Sequence, residues 1–265
     1  MHPALEDLLE IIESDPLPAA DTSSYWQQYG SETVVKRDGD HVVLKPSGIE
    51  MVMPMSLRGR ALHGIERVSY WPVTATLASF RTIWNLARRV TSDLGGHPNF
   101  YVLKSACALS VLADHWAAHR LSPITFALIG DGQGFLGSLI RRYRPGARLY
   151  HIDLPKTLAF QMRTHERNDS SVRMSLLANR PATAPAQDDV VFVLPRAIEW
   201  ITDSIDCAVN IASMGEMRHE SIQRYFAFLR RRSTPASRFY CVNRVHKVLP
   251  GGEVTRFDQY PWRPD

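Results

Sequence analysis

The stretch ITFALIGDGQGFLGSLIRRYRPGARLYHIDLP, residues 124–155, decides the fold of this chain. Its first apolar run, residues 124–129, has the length of a buried strand. A glycine turn at 130–134 follows at once, and residues 135–143 then repeat apolar positions with the spacing of an amphipathic helix. A second apolar run ends at Asp153. Strand, glycine turn, helix, strand and acid in this order predict the first half of a nucleotide-binding α/β domain.

The glycine turn fits two motifs. Gly130, Gly132 and Gly134 match GxGxG, the first motif of class I S-adenosylmethionine-dependent methyltransferases. Gly132, Gly134 and Gly137 match the GxGxxG of dinucleotide-binding proteins. Asp153 follows about 20 residues later, where the dinucleotide fold has its ribose acid. The first glycine should directly follow the strand, and that residue is Gly130. This register favours the methyltransferase motif and leaves the dinucleotide motif as the alternative.

Composition and charge bound the class of protein. The chain has 265 residues, of which 45% are hydrophobic and 22% charged, with a formal net charge of +4. These values are ordinary for a globular protein, and no basic run is long enough to predict nucleic-acid binding. Cys107, Cys207 and Cys241 lie far apart, which predicts free thiols in a reducing compartment. We see no signal peptide and no membrane-spanning run, so we expect a cytoplasmic protein.

The rest of the chain divides around the opening stretch. Residues 1–120 predict a mostly helical extension with one β-hairpin, whose strands at 33–37 and 41–45 flank Asp38-Gly39-Asp40. Residues 121–265 alternate apolar strands with helices, as in a mainly parallel sheet covered on both faces. We therefore predict an α/β fold with a Rossmann-like domain after the extension. The extension is expected to make lid, substrate or oligomer contacts.

Five motifs in the second half of the chain resemble the sugar O-methyltransferase family. They are IGDGQG (129–134), HIDLP (151–155), VNIASMGEM (209–217), RYFAFLRR (224–231) and FYCVNR (239–244). The resemblance implies the seven-stranded class I methyltransferase sheet, S-adenosylmethionine as cofactor, and a sugar or sugar-bearing product as hydroxyl acceptor. The chain departs from the family at Leu128, where an acid is usual. Asp131, inside the turn, is the acid that would compensate.

The cofactor site is expected at the glycine turn and at the carboxyl ends of the neighbouring strands. Asp153, which ends the second strand, would accept hydrogen bonds from the two ribose hydroxyls. The expected cofactor contacts are Gly130, Asp131, Gly132, Gln133, Gly134, Asp153, Leu154, Leu194, Asn210 and Ser213.

The catalytic candidates follow the fourth and fifth strands. Methyl transfer to oxygen needs a base that removes the hydroxyl proton, and histidine is the side chain most often used. Glu216 and His219 are three residues apart and would share a face at a helix start. Glu216 could equally be a carboxylate that interacts with the helix dipole. His219 is a candidate for the general base and could equally be a surface histidine. Arg244 would hold an acidic or polyhydroxyl acceptor. No group of acids and histidines has metal-ligand spacing, so we expect no metal; a magnesium ion held by carboxylates from separate loops stays open as the alternative.

These observations predict an S-adenosylmethionine-dependent O-methyltransferase with a small-molecule hydroxyl acceptor. Two other functions stay open. One is an NAD(P)-dependent oxidoreductase, through the second glycine motif. The other is a non-catalytic methyltransferase-like scaffold whose extension binds a partner.

Overall fold

The computed structural model describes residues 1–15, 22–39, 41–45, 64–180 and 188–263. The longer helices in these ranges are α1 (Pro3–Ser14), α2 (Ser24–Glu32), α3 (Phe80–Asp93), α4 (Phe100–Ala118), α5 (Phe135–Tyr143), α6 (Pro155–Asn168) and α7 (His219–Arg232). The strands are β1 (Val34–Asp38), β2 (His41–Lys45), β3 (Thr125–Ile129), β4 (Arg148–Ile152), β5 (Met174–Leu177), β6 (Val190–Val193), β7 (Cys207–Ile211), β8 (Arg238–Val242), β9 (His246–Val248) and β10 (Val254–Arg256).

A six-stranded sheet in the order β5-β6-β4-β3-β7-β8 forms the centre of the molecule. Every neighbouring pair in it is parallel. The central strands are almost wholly apolar because helices bury both faces of the sheet. After β3 the chain adds β4 and β6 on one side, and β7 and β8 on the other. The loops after β3 and β7 therefore diverge and leave a crevice at the carboxyl edge of the sheet. The α/β prediction is confirmed.

The extension packs directly onto this sheet. Helix α3 contacts α4 and α5, and α1 contacts α6 and β5. Leu9 of α1, Trp84 of α3 and Phe126 of β3 belong to one continuous apolar core. Helix α4 begins after Asn99, whose side chain accepts hydrogen bonds from the backbone N–H groups of Tyr101 and Val102. This cap fixes the first turn of α4, which borders the crevice.

Two hairpins lie outside the sheet. The predicted hairpin is confirmed as the antiparallel pair β1 and β2. The resemblance implied a seven-stranded sheet, but in the described ranges β9 and β10 pair only with each other. The hydroxyl of Thr255 in β10 donates to the carbonyl oxygen of Gly215, at 2.9 Å, which holds this second hairpin against the loop after β7. The hairpin thereby carries Lys247 of β9 to the crevice instead of extending the sheet.

The prediction that the three cysteines are free thiols is confirmed. Cys107 and Cys207 are buried, Cys241 is partly buried, and all three are free thiols. Within the ranges that the structure describes, no helix has both the length and the apolar character needed to cross a bilayer.

Candidate functional site

A cavity of about 800 Å³ lies at the carboxyl ends of β3, β4 and β7, where the strand order reverses. The glycine turn and residues of α2 and α4 all border it. The expected site residues that border it are Gly130, Asp131, Gly132, Gln133, Asp153, Leu154, Ser213, Glu216 and Arg244. Gly134, Leu194, Asn210 and His219 do not border it.

The three glycines of GxGxG serve different purposes, although all have positive φ. A side chain at Gly130 would collide with Ser213, which follows β7. At Gly134, a Cβ atom would lie 2.9 Å from the backbone Cα of Gln161 in α6. Gly132 has no atom within 4 Å of the Cβ position and leaves its backbone open to the cavity. The turn is therefore clamped at both ends and open in the middle.

Replacing Gly134 with alanine is expected to lower the free energy of unfolding by about 2–5 kcal/mol. This range adds about 1–2 kcal/mol for an alanine in the left-handed backbone region to about 1–3 kcal/mol for the collision with Gln161. Gly132→Ala is the matched control, because it adopts the same backbone region without a neighbour and should cost about 1–2 kcal/mol. Urea unfolding of both variants measures the difference. Equal losses would contradict the close contact at Gly134.

Asp131 borders the cavity, and both of its carboxylate oxygens bond to the backbone of α5. One of its carboxylate oxygens accepts from the backbone N–H of Leu136, at 3.2 Å, and the other from that of Gly137, at 2.8 Å. Burial raises the pKa of this carboxyl to about 7, although the hydrogen bonds from the two backbone N–H groups act to lower it. The carboxylate of Asp131 thus binds the N–H groups in the first turn of α5 that have no partner within the helix. A ligand anion would otherwise bind at this place.

Asp153 lies at the end of β4 and is 9% exposed. Its Oδ1 accepts from the N–H of Leu154, at 2.9 Å, and its Oδ2 accepts from Nε2 of Gln161, at 2.8 Å. Burial raises the pKa of this carboxyl to about 7, and the charges of Asp131 and Glu216 add to the effect. The carboxylate borders the cavity with a fixed orientation, as a ribose-binding acid would.

Gln161 is a site residue that the sequence analysis did not single out. It is fully buried in α6, and its Nε2 bonds both Asp153 and the carbonyl oxygen of Gly132, at 3.0 Å. One amide group therefore ties the acid after β4 to the middle of the glycine turn. An available signal was a glutamine on the apolar face of the helix that follows the acid.

Asn210 and Ser213 hold the ends of the strands together. The Nδ2 group of Asn210 donates to the carbonyl oxygen of Ile129, at 2.8 Å, and its Oδ1 accepts from Asn243, at 2.7 Å. The hydroxyl of Ser213 donates to the same carbonyl, at 3.0 Å. Asn210 is fully buried beneath the cavity, so it supports the site from below, whereas Ser213 borders the cavity.

Of the two candidates for the base, Glu216 faces the cavity and His219 does not. The Glu216 carboxylate lies 2.7 Å from Nζ of Lys247 and accepts a hydrogen bond from Tyr25. Burial raises the pKa of this carboxyl, while Lys247 and Tyr25 act against the rise. His219 is exposed at the start of α7, where its Nε2 lies 3.0 Å from Nε2 of Gln223.

Helix α2 covers the cavity and is fastened at both ends. At one end, the hydroxyl of Ser23 donates to the backbone carbonyl of Glu216. At the other end, Nζ of Lys156 donates to the carbonyl oxygens of Gly30 and Thr33, at 2.9 Å each. These bonds hold Tyr25 and Trp26 of α2 over the cavity. Tyr25, Trp26, Lys104 and Lys247 were all absent from the sequence-based site, since they come from the extension and the last hairpin.

No group of three or more potential metal ligands occurs among the histidine, cysteine and acidic side chains of the described ranges. The expected absence of a metal remains a prediction.

Comparisons with known proteins add only distant likenesses. No protein-family profile and no curated protein matches the chain. Among solved structures, it is similar to the pyocyanin biosynthetic protein PhzM (17% identity, 50% of this chain and 36% of that one, TM-score 0.35). It is also similar to the plantazolicin methyltransferase BpumL in complex with SAH (13% identity, 68% of this chain and 61% of that one, TM-score 0.38). A third similar structure is an O-methyltransferase family protein from Burkholderia thailandensis (11% identity, 81% of this chain and 63% of that one, TM-score 0.36). The chain spans less than two thirds of the length of each of these proteins.

Proposed function

We propose that the chain is an S-adenosylmethionine-dependent O-methyltransferase that acts on a hydroxyl of a sugar or sugar-bearing product. Residues 121–265 would hold the cofactor, and residues 1–120 would cover the acceptor. Two features of the cavity support the fit to the cofactor. Gly132 leaves an open stretch of backbone, and Asp153 beside it presents a fixed carboxylate to the same cavity.

One observation carries the choice of cofactor. A dinucleotide places its pyrophosphate on the N-terminus of the helix after the glycine turn. Here the carboxylate of Asp131 occupies the N–H groups of Leu136 and Gly137 in that first turn. A pyrophosphate would have to displace this carboxylate, whereas S-adenosylmethionine has no phosphate. The arrangement therefore favours S-adenosylmethionine over NAD(P), although Gly137 also fits the dinucleotide motif.

The remaining residues supply the chemistry expected of such an enzyme. S-adenosylmethionine, when bound, would supply a methyl group: the acceptor oxygen would bond to the methyl carbon in line as the carbon–sulfur bond breaks and S-adenosylhomocysteine leaves. Glu216 is the base in this proposal, because its carboxylate borders the cavity and Lys247 holds it in place. Tyr25 and Trp26 exclude water from above. Arg244 would orient the acceptor from the rim.

Calorimetry with S-adenosylmethionine, S-adenosylhomocysteine and NAD tests the proposal. We expect binding of the first two and none of NAD. Binding of NAD alone would overturn the methyltransferase assignment in favour of an oxidoreductase. Absence of binding by all three would support a non-catalytic scaffold.

A further inference from the structure

The acceptor side of the cavity carries an excess of positive charge. Lys104, Arg244, Lys247 and Glu216 all border the cavity, and the charges of all three cations act on Glu216, so three cations lie near one carboxylate. Lys247 is neutralised by Glu216, at 2.7 Å, and its ammonium also lies 4.2 Å from the ring centre of Tyr25. Lys104 and Arg244 are left without a matching negative charge.

The position of Lys104 disfavours its charged form. It lies one turn into α4, and its ammonium is 5.7 Å and 5.6 Å from the ring centres of Phe100 and Tyr101. Burial lowers the pKa of this lysine, and the charge of Arg244 lowers it further, while Glu216 acts in the opposite direction. Lys104 forms no ion pair within the described part of the chain. A partly buried cation without a carboxylate partner is unusual unless a ligand supplies the negative charge.

Arg244 faces the same region from a different element. It follows β8, is exposed at the rim of the cavity, and has no carboxylate partner among the described residues. Its charge acts on both Lys104 and Glu216. The two cations therefore lie around the proposed base. The charged groups that shift the pKa of Asp153, on the cofactor side, are Asp131 and Glu216 instead.

We infer, building on the proposed methyltransferase function, that the acceptor is acidic and that Lys104 and Arg244 bind its carboxylate or phosphate group while its hydroxyl meets Glu216. A guanidinium matches the two oxygens of such a group, and an ammonium adds a point charge. S-adenosylmethionine has a net positive charge of its own, so an acidic acceptor also offsets the combined repulsion in the cavity. A sugar acid or a sugar phosphate satisfies both this inference and the proposed function.

The test compares two probes that differ in one charge, 4-nitrophenyl β-D-glucuronide and 4-nitrophenyl β-D-glucoside. Their binding to the full chain, saturated with S-adenosylhomocysteine, is measured by calorimetry. We expect the glucuronide to bind at least about 10-fold more tightly at low salt. In about 0.5 M NaCl the preference should shrink, because salt screens partly exposed charges. It should also fall to less than about 2-fold in Lys104→Met and Arg244→Met.

Arg231→Met is the matched control, because it removes one positive charge from the exposed C-terminal turn of α7. It should keep the preference, as should Lys104→Arg. Equal binding of the two probes to the unmodified protein, or binding of neither, would overturn the inference and leave the cofactor assignment standing. Weaker binding of S-adenosylhomocysteine in Lys104→Met or Arg244→Met would overturn it too, since the cations would then hold the carboxylate of the cofactor. Failure of the unmodified protein to bind S-adenosylhomocysteine would instead defeat the proposed function.

Discussion

A Glu216→Gln variant is expected to lose about 10²- to 10⁴-fold in kcat for methyl transfer. Glutamine keeps the size of the side chain and can still accept hydrogen bonds from Tyr25 and Lys247. It cannot take up the proton of the acceptor hydroxyl. The affinity for S-adenosylhomocysteine should change little, because the cofactor is expected against the glycine turn and Asp153. The rate of S-adenosylhomocysteine formation and its binding by calorimetry separate the two effects.

His219→Gln discriminates between the two sequence-based candidates for the base. His219 is exposed and its ring contacts Gln223, so its replacement should leave kcat within about 2-fold of the original. A loss in His219→Gln comparable with that in Glu216→Gln would return the role to the histidine. Loss of cofactor affinity in Glu216→Gln would mean that Glu216 acts in binding and not in proton removal.

Replacing Asp153 with alanine is expected to weaken S-adenosylhomocysteine binding by about 10²- to 10⁴-fold. Two hydrogen bonds from ribose hydroxyls to a carboxylate are lost, and each charged hydrogen bond contributes about 1.5–3 kcal/mol. Gln161 also loses one of its two acceptors, which loosens the glycine turn. Asp93→Ala, at the exposed end of α3, removes a carboxylate that pairs with Arg142 and should leave the affinity unchanged. An unchanged Kd in Asp153→Ala would show that the ribose assignment is wrong.

The same carboxylate predicts how cofactor affinity depends on pH. Burial raises the pKa of Asp153 to about 7, so the group is mostly ionised at pH 8 and mostly protonated at pH 6. The ionised form is the better acceptor for ribose hydroxyls, so the affinity should fall by about 10-fold as the pH drops from 8 to 6. Asp131 has its pKa raised to a similar value, but both of its oxygens bond to the backbone. Asp153→Asn should therefore flatten the profile. A profile that persists in this variant would assign the titration to Asp131.

The sequence by itself determined the elements of the fold and the place of the site. The apolar run at 124–129, the glycines and the amphipathic run after them are local signals, because strands, turns and helices are set by spacings of a few residues. When parallel strands alternate with helices, the loops after the strands all lie at the carboxyl edge of the sheet. Asp153 directly follows β4, and Arg244 and Glu216 lie in the loops after β8 and β7, so the sequence placed all three at the edge where the cavity lies.

Only the tertiary structure decided which side chains share the cavity and which way they point. Tyr25, Lys104 and Lys247 come from α2, α4 and the second hairpin, and no local spacing relates them to Glu216. The orientation of Asp131 depended on which N–H groups the first turn of α5 left without partners. The hairpin of β9 and β10 lies outside the sheet, and the hydroxyl of Thr255 joins it to the loop after β7. Such pairings depend on long-range packing, in which residues distant in sequence meet once the sheet has formed, and local periodicity does not encode them.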